Sequence, residues 1–337
     1  MCRVCEVLDL REFSMGKFFS ASDTIDLAVH ERVARITLNR PDKRNALTPP
    51  MIASLHDALI EADARNDVNV IVLQGAGRDF CAGYDLTGVY AGIKSEADRA
   101  ATAGGAAGAA GGAPPAVPDG GAAAAAIDYR SSTGTFDNDC WSLEYTQRQV
   151  MALFDIHKPV IAKVHGNCVA GGTDLALLCD MVLAAEEARI GFPASRANGT
   201  PPNHMWIYHV GPQWAKRLLM TGDLLTGRDA ARIGLVLDAV PAAGLDQAVD
   251  ELARRVSHVD AELLSAHKRI VNLALELAGA RTLQRLAAES DARAHLSQGP
   301  RRQQFKADMA AHGLREALKN RDAPFGDGLV KIHRPAE

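Results

Sequence analysis

The 337-residue sequence has no run of about 18 apolar residues, which excludes an ordinary membrane-spanning helix. It has no excess of either charge: 37 Lys plus Arg face 41 Asp plus Glu, for a formal net charge of −4. That balance gives no electrostatic footprint for nucleic acid or a membrane surface, and neither partner is expected. No secretory leader is expected either, because the first apolar patch is broken by Asp9, Arg11 and Glu12. The six cysteines are therefore expected as reduced thiols in a cytoplasmic protein. Cys2 and Cys5 form a lone C-x-x-C with no second half and no strand–helix context, so no metal site is expected. A chain of this length buries an ordinary core without such staples.

What is present is uneven. From Ala100 to Ala126 every residue is Ala, Gly or Pro except Thr102, Val117 and Asp119. Such residues bury little area, so this stretch raises the 47% apolar content without supplying core. It reads as a flexible insert at 97–126, not as a domain boundary.

Elsewhere the pattern alternates between strand and helix. Ile25–Val29 and Val33–Leu38 read as a hairpin, and Arg40 to Asn45 as a polar turn. Thr48 is placed to cap a helix with Pro49 at its first position and Ile52, Leu55, Leu59 and Ala62 on one face. Val68–Leu73 and Pro159–Val164 are continuous apolar runs, as buried parallel strands require. Trp141 to His157 reads as one helix, Gly166 to Gly172 as a loop, and Asp174 to Cys179 as the start of another helix. Met181–Ala184 and Arg189–Phe192 read as short strands. From Asp246 onward the periodicity is helical. The fold class is therefore α/β with parallel pairing and a helical C-terminal region.

Two loops leave apolar strands with glycine at the turn. They are Phe80-Cys81-Ala82-Gly83-Tyr84-Asp85-Leu86 and the stretch from His165 through Gly171-Gly172-Thr173-Asp174. On spacing alone they serve either as plain strand–helix turns or as paired N–H donors facing one developing negative oxygen. Neither is a phosphate loop.

Taken together in order, these pieces resemble the crotonase family, the enoyl-CoA hydratase/isomerase superfamily. The resemblance rests on Ile36 to Pro41 with Lys43 to Leu47, on the loop Phe80 to Leu86, and on Lys158 to Gly166 with Ala170 to Ala176. It continues in Leu219 to Asp223 and Ala230 to Val236, and spans about Ile25 to Gln247. It implies a crotonase-like (ClpP/crotonase) spiral of repeated ββα units. Residues 1–20 would form a poorly ordered lead-in, 21–245 the core, and 246–337 a helical subdomain for oligomerisation as a homotrimer or dimer of trimers. It also implies an acyl-CoA substrate and no permanently bound cofactor, coenzyme A being the thioester part of the substrate. The N–H groups of Tyr84 and Gly171 would hold the thioester oxygen. Each such donor stabilises an enolate by about 2.7–4 kcal/mol. Ala82, Asp85 and Leu86 would hold the CoA adenine, with Lys43, Arg44 and Ala46 nearby. Asn320 stands where some relatives carry a CoA-binding lysine, and the adjacent Arg321 would substitute.

The departures concern proton transfer. Of the two glutamates that family hydratases use, the first position matches Asp174 and the second is Ala194. Alanine moves no proton, and losing one acid–base partner typically lowers the rate about 10²–10⁴-fold. A double-bond shift, which needs one proton-transfer group, tolerates Ala194 better than hydration does. His204, in the His- and Asn-containing stretch Ser195 to Trp206, is an alternative acid or base, suited to hydrolysis of a thioester or a C–C bond. A protein that binds acyl-CoA without turning it over is the further alternative.

Overall fold

The computed structural model describes residues 17–86, 130 and 135–332. The C-x-x-C and the whole Ala/Gly stretch lie outside the described residues.

The hairpin forms as expected. β1 (Ile25–His30) pairs antiparallel with β2 (Val33–Leu38). Its two-residue turn, Glu31-Arg32, takes positive φ at both positions, the backbone twist that closes such hairpins. The Thr48 hydroxyl accepts from the Met51 N–H and starts α1 (Pro49–Ala64). Ile52, Leu55, Leu59 and Ala62 all face the core. β3 (Val70–Gly75) then lies parallel to β2, with Leu38 opposite Gly75.

α2 (Phe136–Val150) starts earlier than the periodicity suggests, because the Thr135 hydroxyl accepts from the Asn138 N–H at 3.1 Å. The single helix expected to His157 is two, with α3 (Ala152–Asp155) following α2. β4 (Val160–Val164) is parallel to β3. The stretch read as a loop holds a short strand, β5 (Asn167–Val169), and α4 (Gly171–Ala176) begins three residues before Asp174. Both corrections have one cause. β5 pairs parallel with β7 (Arg189–Gly191), a partner distant in sequence that local pattern does not show.

β6 (Met181–Ala185) and β9 (Asp238–Val240) complete a six-stranded sheet in the order β1-β2-β3-β4-β6-β9. β5, β7 and β8 (Leu224–Thr226) form a second, three-stranded sheet. α5 (Trp206–Thr221), kinked at Gly211-Pro212, and α6 (Gly227–Arg232) connect these strands. The core is largely aliphatic, and Trp206 is its largest fully buried side chain.

The C-terminal region is α7 (Leu245–Ser257), α8 (Ala261–Leu277), α9 (Ala280–His295) and α10 (Pro300–Asp322). α7 covers one face of the large sheet. α9 packs along α2 of the same chain, where Gln147 Nε2 donates to both Pro202 O and Gln284 O at 2.6 Å. α8 is anchored by its buried Lys268, whose Nζ donates to Leu153 O and Lys158 O and pairs with Asp180 at 3.0 Å. Asp180 also accepts the Val160 N–H at 2.7 Å, which accounts for it structurally.

Candidate active site

The loop Phe80 to Leu86 is tied on both sides. Cys81 N–H donates to Asn167 O, and Val169 N–H donates to Cys81 O, each at 3.0 Å. On its other edge, Leu47 N–H donates to Gly83 O and Asp85 N–H to Leu47 O, each at 2.8 Å. The polar turn before α1 is a clamp for this loop. Buried Asn45, held at positive φ, donates from Nδ2 to Ala76 O at 2.9 Å and Asp79 O at 2.8 Å, and accepts the Arg40 N–H at 2.9 Å. Buried Asp79 accepts the Asn167 N–H at 2.8 Å and so ties the same region to β5. Sequence reading missed Asn45 and Asp79, since their partners lie on other segments.

Glycine permits the two loops to meet backbone to backbone. Gly83 has φ +94°, and a Cβ there would stand 2.8 Å from the Ala170 Cβ and 3.2 Å from the Gly171 nitrogen. A Cβ on Gly171 would stand 2.9 Å from the Tyr84 ring. Among the described residues, the N–H groups of Gly83, Asp85, Ala170, Thr173 and Asp174 all donate, whereas those of Tyr84 and Gly171 donate to nothing. The two sequence-selected residues are thus on contacting loops.

Asp174 sits in the first turn of α4, 1% exposed. Its Oδ2 accepts the Tyr84 hydroxyl at 3.0 Å, and its Oδ1 is buried without a partner. Burial pushes this carboxyl well above the usual range, the Tyr84 hydrogen bond opposes the shift, and the charge of Asp291 adds to it. Asp174 is therefore held toward its proton-bearing form. Burial and Asp174 likewise raise the Tyr84 phenol, which stays a donor.

The other selected residues divide into two places. Ala82 N–H donates to Arg44 O at 2.9 Å, and Asp85 pairs with Arg40 at 3.1 Å. Ala46 O accepts from Arg40, and Leu86 follows at the end of the same loop. Lys43 and Arg44 are exposed beside them, with Arg44 3.7 Å from Asp79. Arg321, by contrast, is buried, donating to Asn198 Oδ1 at 2.8 Å and to both oxygens of Asp322.

Ala194 lies in a short 3₁₀ turn, Pro193–Arg196, fixed by Arg196 pairing with Asp223 and Asp322 and lying over the Phe325 ring. The backbone of His204 is clamped by the Gln284 carboxamide, and its Nδ1 is buried without a partner. Burial lowers its pKa, which favours the neutral imidazole. His209 bonds Leu177 O at 2.9 Å and joins α5 to the end of α4.

One position carries visible backbone strain. Ala170 precedes α4 with φ 50° and ψ −121°, a region that disfavours a Cβ. Ala170→Gly is expected to stabilise the fold by about 1 kcal/mol, the strain relieved exceeding the flexibility gained by the unfolded chain. Thermal unfolding checks this; a lower Tm would show that the Ala170 methyl contact with Gly83 outweighs the strain.

The enoyl-CoA hydratase/isomerase family profile matches residues 28–105 and 123–325. An enoyl-CoA hydratase structure from Mycobacterium smegmatis is 36% identical, covering 90% of this chain and 94% of that one, with a TM-score of 0.73. An enoyl-CoA hydratase/isomerase structure from Xanthobacter autotrophicus Py2 is 30% identical, covering 91% and 99%, also with a TM-score of 0.73. The 2,3-dehydroadipyl-CoA hydratase of Escherichia coli K12 is 29% identical over 74% of this chain and 81% of its own. The expected crotonase fold is therefore the observed one.

Proposed function

Because the chain belongs to the enoyl-CoA hydratase/isomerase family, we propose that its site holds the thioester oxygen of an acyl-CoA between the N–H groups of Tyr84 and Gly171 and moves a proton with Asp174. One observation carries this reading. Two undonated N–H groups stand on loops whose close approach glycine permits, beside a buried carboxyl with one bare oxygen. Donors fixed in advance stabilise an enolate without reorganising when the charge appears. When Asp174 is in its ionised form, the one that burial disfavours, it can take a proton from the α carbon of a β,γ-enoyl thioester and give such an enolate. Returning a proton at the γ carbon completes a double-bond shift that one carboxyl can serve. Coenzyme A would lie along Lys43, Arg44 and Ala46 and the backbone of Ala82, Asp85 and Leu86, with Arg321 at the C-terminal end. Absorbance assays with crotonyl-CoA and a 3-enoyl-CoA test the reading. Background rates for both, with CoA binding intact, would leave an acyl-CoA-binding protein without turnover.

His204, whose pKa burial lowers and whose Nδ1 is bare, supports a second reading, hydrolysis of a thioester or C–C bond with His204 as base. Release of free CoA or a cleaved acid, abolished by His204→Ala, would favour it.

We also propose that α8 is an oligomer contact. It leaves Leu263, Ile270, Val271, Leu273 and Leu277 exposed. An apolar stripe of this kind marks an association surface. Light scattering is expected to give a trimer or hexamer, and a monomer would contradict the assignment.

A further inference from the structure

The stretch containing Ala194 to Trp206 is closed off by a helix from the far end of the chain. Asp291, on α9, is 5% exposed. Its Oδ1 accepts the Thr200 N–H at 2.7 Å and lies 3.6 Å from His295 Nε2, one helical turn on. His295 Nδ1 is in turn 2.7 Å from Asp139 Oδ2, on α2. Gly199 leaves room for the carboxyl, since a Cβ there would stand 2.3 Å from Asp291 Oδ1. The arrangement is carboxylate, imidazole, carboxylate, with its inner end at the loop that lacks the second glutamate.

Two further observations connect this group to the site. Gly199, whose α carbon faces Asp291 Oδ1, donates its N–H to Ala194 O at 3.2 Å, which brings Asp291 to the turn where the second glutamate is missing. Buried polar atoms without partners are Asp174 Oδ1 and, on the stretch that Asp291 ties through Thr200, both carboxamide atoms of Asn203, which is 2% exposed. Native proteins leave few such atoms bare, and each points to a polar group that completes it, a ligand or a water.

We propose that Asp291 is the second proton-transfer carboxyl of this site, supplied by the C-terminal helix in place of the one that Ala194 lacks, and that it works opposite Asp174 in adding water to an enoyl thioester. The proposal rests on the acyl-CoA reading above. In the forward step Asp291 takes a proton from water, and the water oxygen's electron pair forms the C–O bond at the β carbon. The C=C pair shifts toward the carbonyl, and the negative charge settles on the oxygen between Tyr84 and Gly171. The enolate then takes the Asp174 proton at its α carbon. One water has been added, Asp291 ends protonated and Asp174 ionised, and exchange with solvent resets both.

The electrostatics suit these roles. Burial pushes Asp291 up to about 6, with His295, the Thr200 N–H and Arg302 pulling down and Asp139 pushing up. Burial pulls His295 down, but the Asp139 hydrogen bond and the Asp291 charge outweigh it and the net shift is upward. The Asp291 charge in turn raises both Asp174 and Tyr84. Near neutral pH Asp291, at about 6, is able to accept, while burial favours the proton-bearing form of Asp174. Environments that push two carboxyls apart in this way assign the base and the acid. Hydration should therefore rise with pH through about 6 as Asp291 ionises.

The test is Asp291→Asn in the full chain with crotonyl-CoA. The amide oxygen still accepts from Thr200, so the loop keeps its tie. The expected result is about a hundredfold lower kcat, little change in KM, and loss of the acid limb of the rate profile. His295→Gln, which removes the cation beside Asp291, is expected to move that limb to higher pH, and it serves as the test if Asp291→Asn does not fold. A wild-type rate and limb in Asp291→Asn, or an unmoved limb in His295→Gln, would overturn the proposal and leave Asp291 as a loop tie. Wild-type protein that shifts double bonds but does not hydrate would overturn this proposal alone. Protein that does neither would overturn the acyl-CoA reading as well.

Discussion

Asp174→Asn is expected to lower kcat on an enoyl-CoA by about 10²–10⁴-fold while leaving CoA affinity near that of the parent. The substitution preserves shape and keeps an oxygen to accept the Tyr84 hydroxyl, now at 3.0 Å. It removes only the proton that Asp174 can give or take. The same variant has a stability signature. Burial raises the folded-state pKa of Asp174 above its ordinary 3.8, so the fold binds that proton more tightly than the unfolded chain does. Stability from this source is complete below the unfolded value and declines as pH rises above it toward the folded one. Asparagine has nothing to ionise, so the stability of Asp174→Asn relative to wild type should improve as pH rises through that window. Denaturant unfolding at several pH values measures this. An unchanged kcat would remove Asp174 from the chemistry, and a pH-independent stability difference would show that its charge state is not set by burial.

Gly83→Ala is expected to lower kcat/KM by about 10²–10³-fold, the effect of displacing one oxyanion donor. The new Cβ would stand 2.8 Å from the Ala170 Cβ, 3.0 Å from Val169 O and 3.2 Å from the Gly171 nitrogen, at φ +94°. Two of these neighbours are backbone atoms and cannot rotate away. The loops must separate or the backbone must leave its left-handed conformation, at about 1–3 kcal/mol. Either change moves the Tyr84 N–H away from the Gly171 N–H. Thermal unfolding, run beside the kinetics, verifies that the variant is folded. A folded variant with parental kcat/KM would mean that the two N–H groups do not act on one oxygen.

Local physics was enough to read the parts of the fold that it controls. The Thr48 cap, the Pro49 start and the apolar strands are written in neighbouring residues, and they stand where expected. β5 and the true start of α4 were not legible, because pairing with β7 creates them. The candidate site shows the same division. Tyr84, Gly171 and Asp174 come from two glycine-marked loops, and the resemblance named them; the structure brings them into contact. Asn45 reads in sequence as part of a polar turn and Asp79 carries no signal; only their partners on other segments give them their place. Asp291 and His295 carried only the i, i+4 spacing of one amphipathic helix face, which predicts neighbours and no chemistry. The packing of α9 on α2, across 156 residues between His295 and Asp139, gives that spacing its possible role.

The central claim is that one thioester oxygen is held between Tyr84 and Gly171 beside Asp174. A crystal structure of the protein with a bound, slowly reacting acyl-CoA tests it most directly. The expected result is a thioester oxygen about 2.7–3.1 Å from both backbone nitrogens, with the α carbon within reach of the Asp174 carboxyl. An acyl-CoA whose thioester lies elsewhere, with both N–H groups still unbound, would contradict the account.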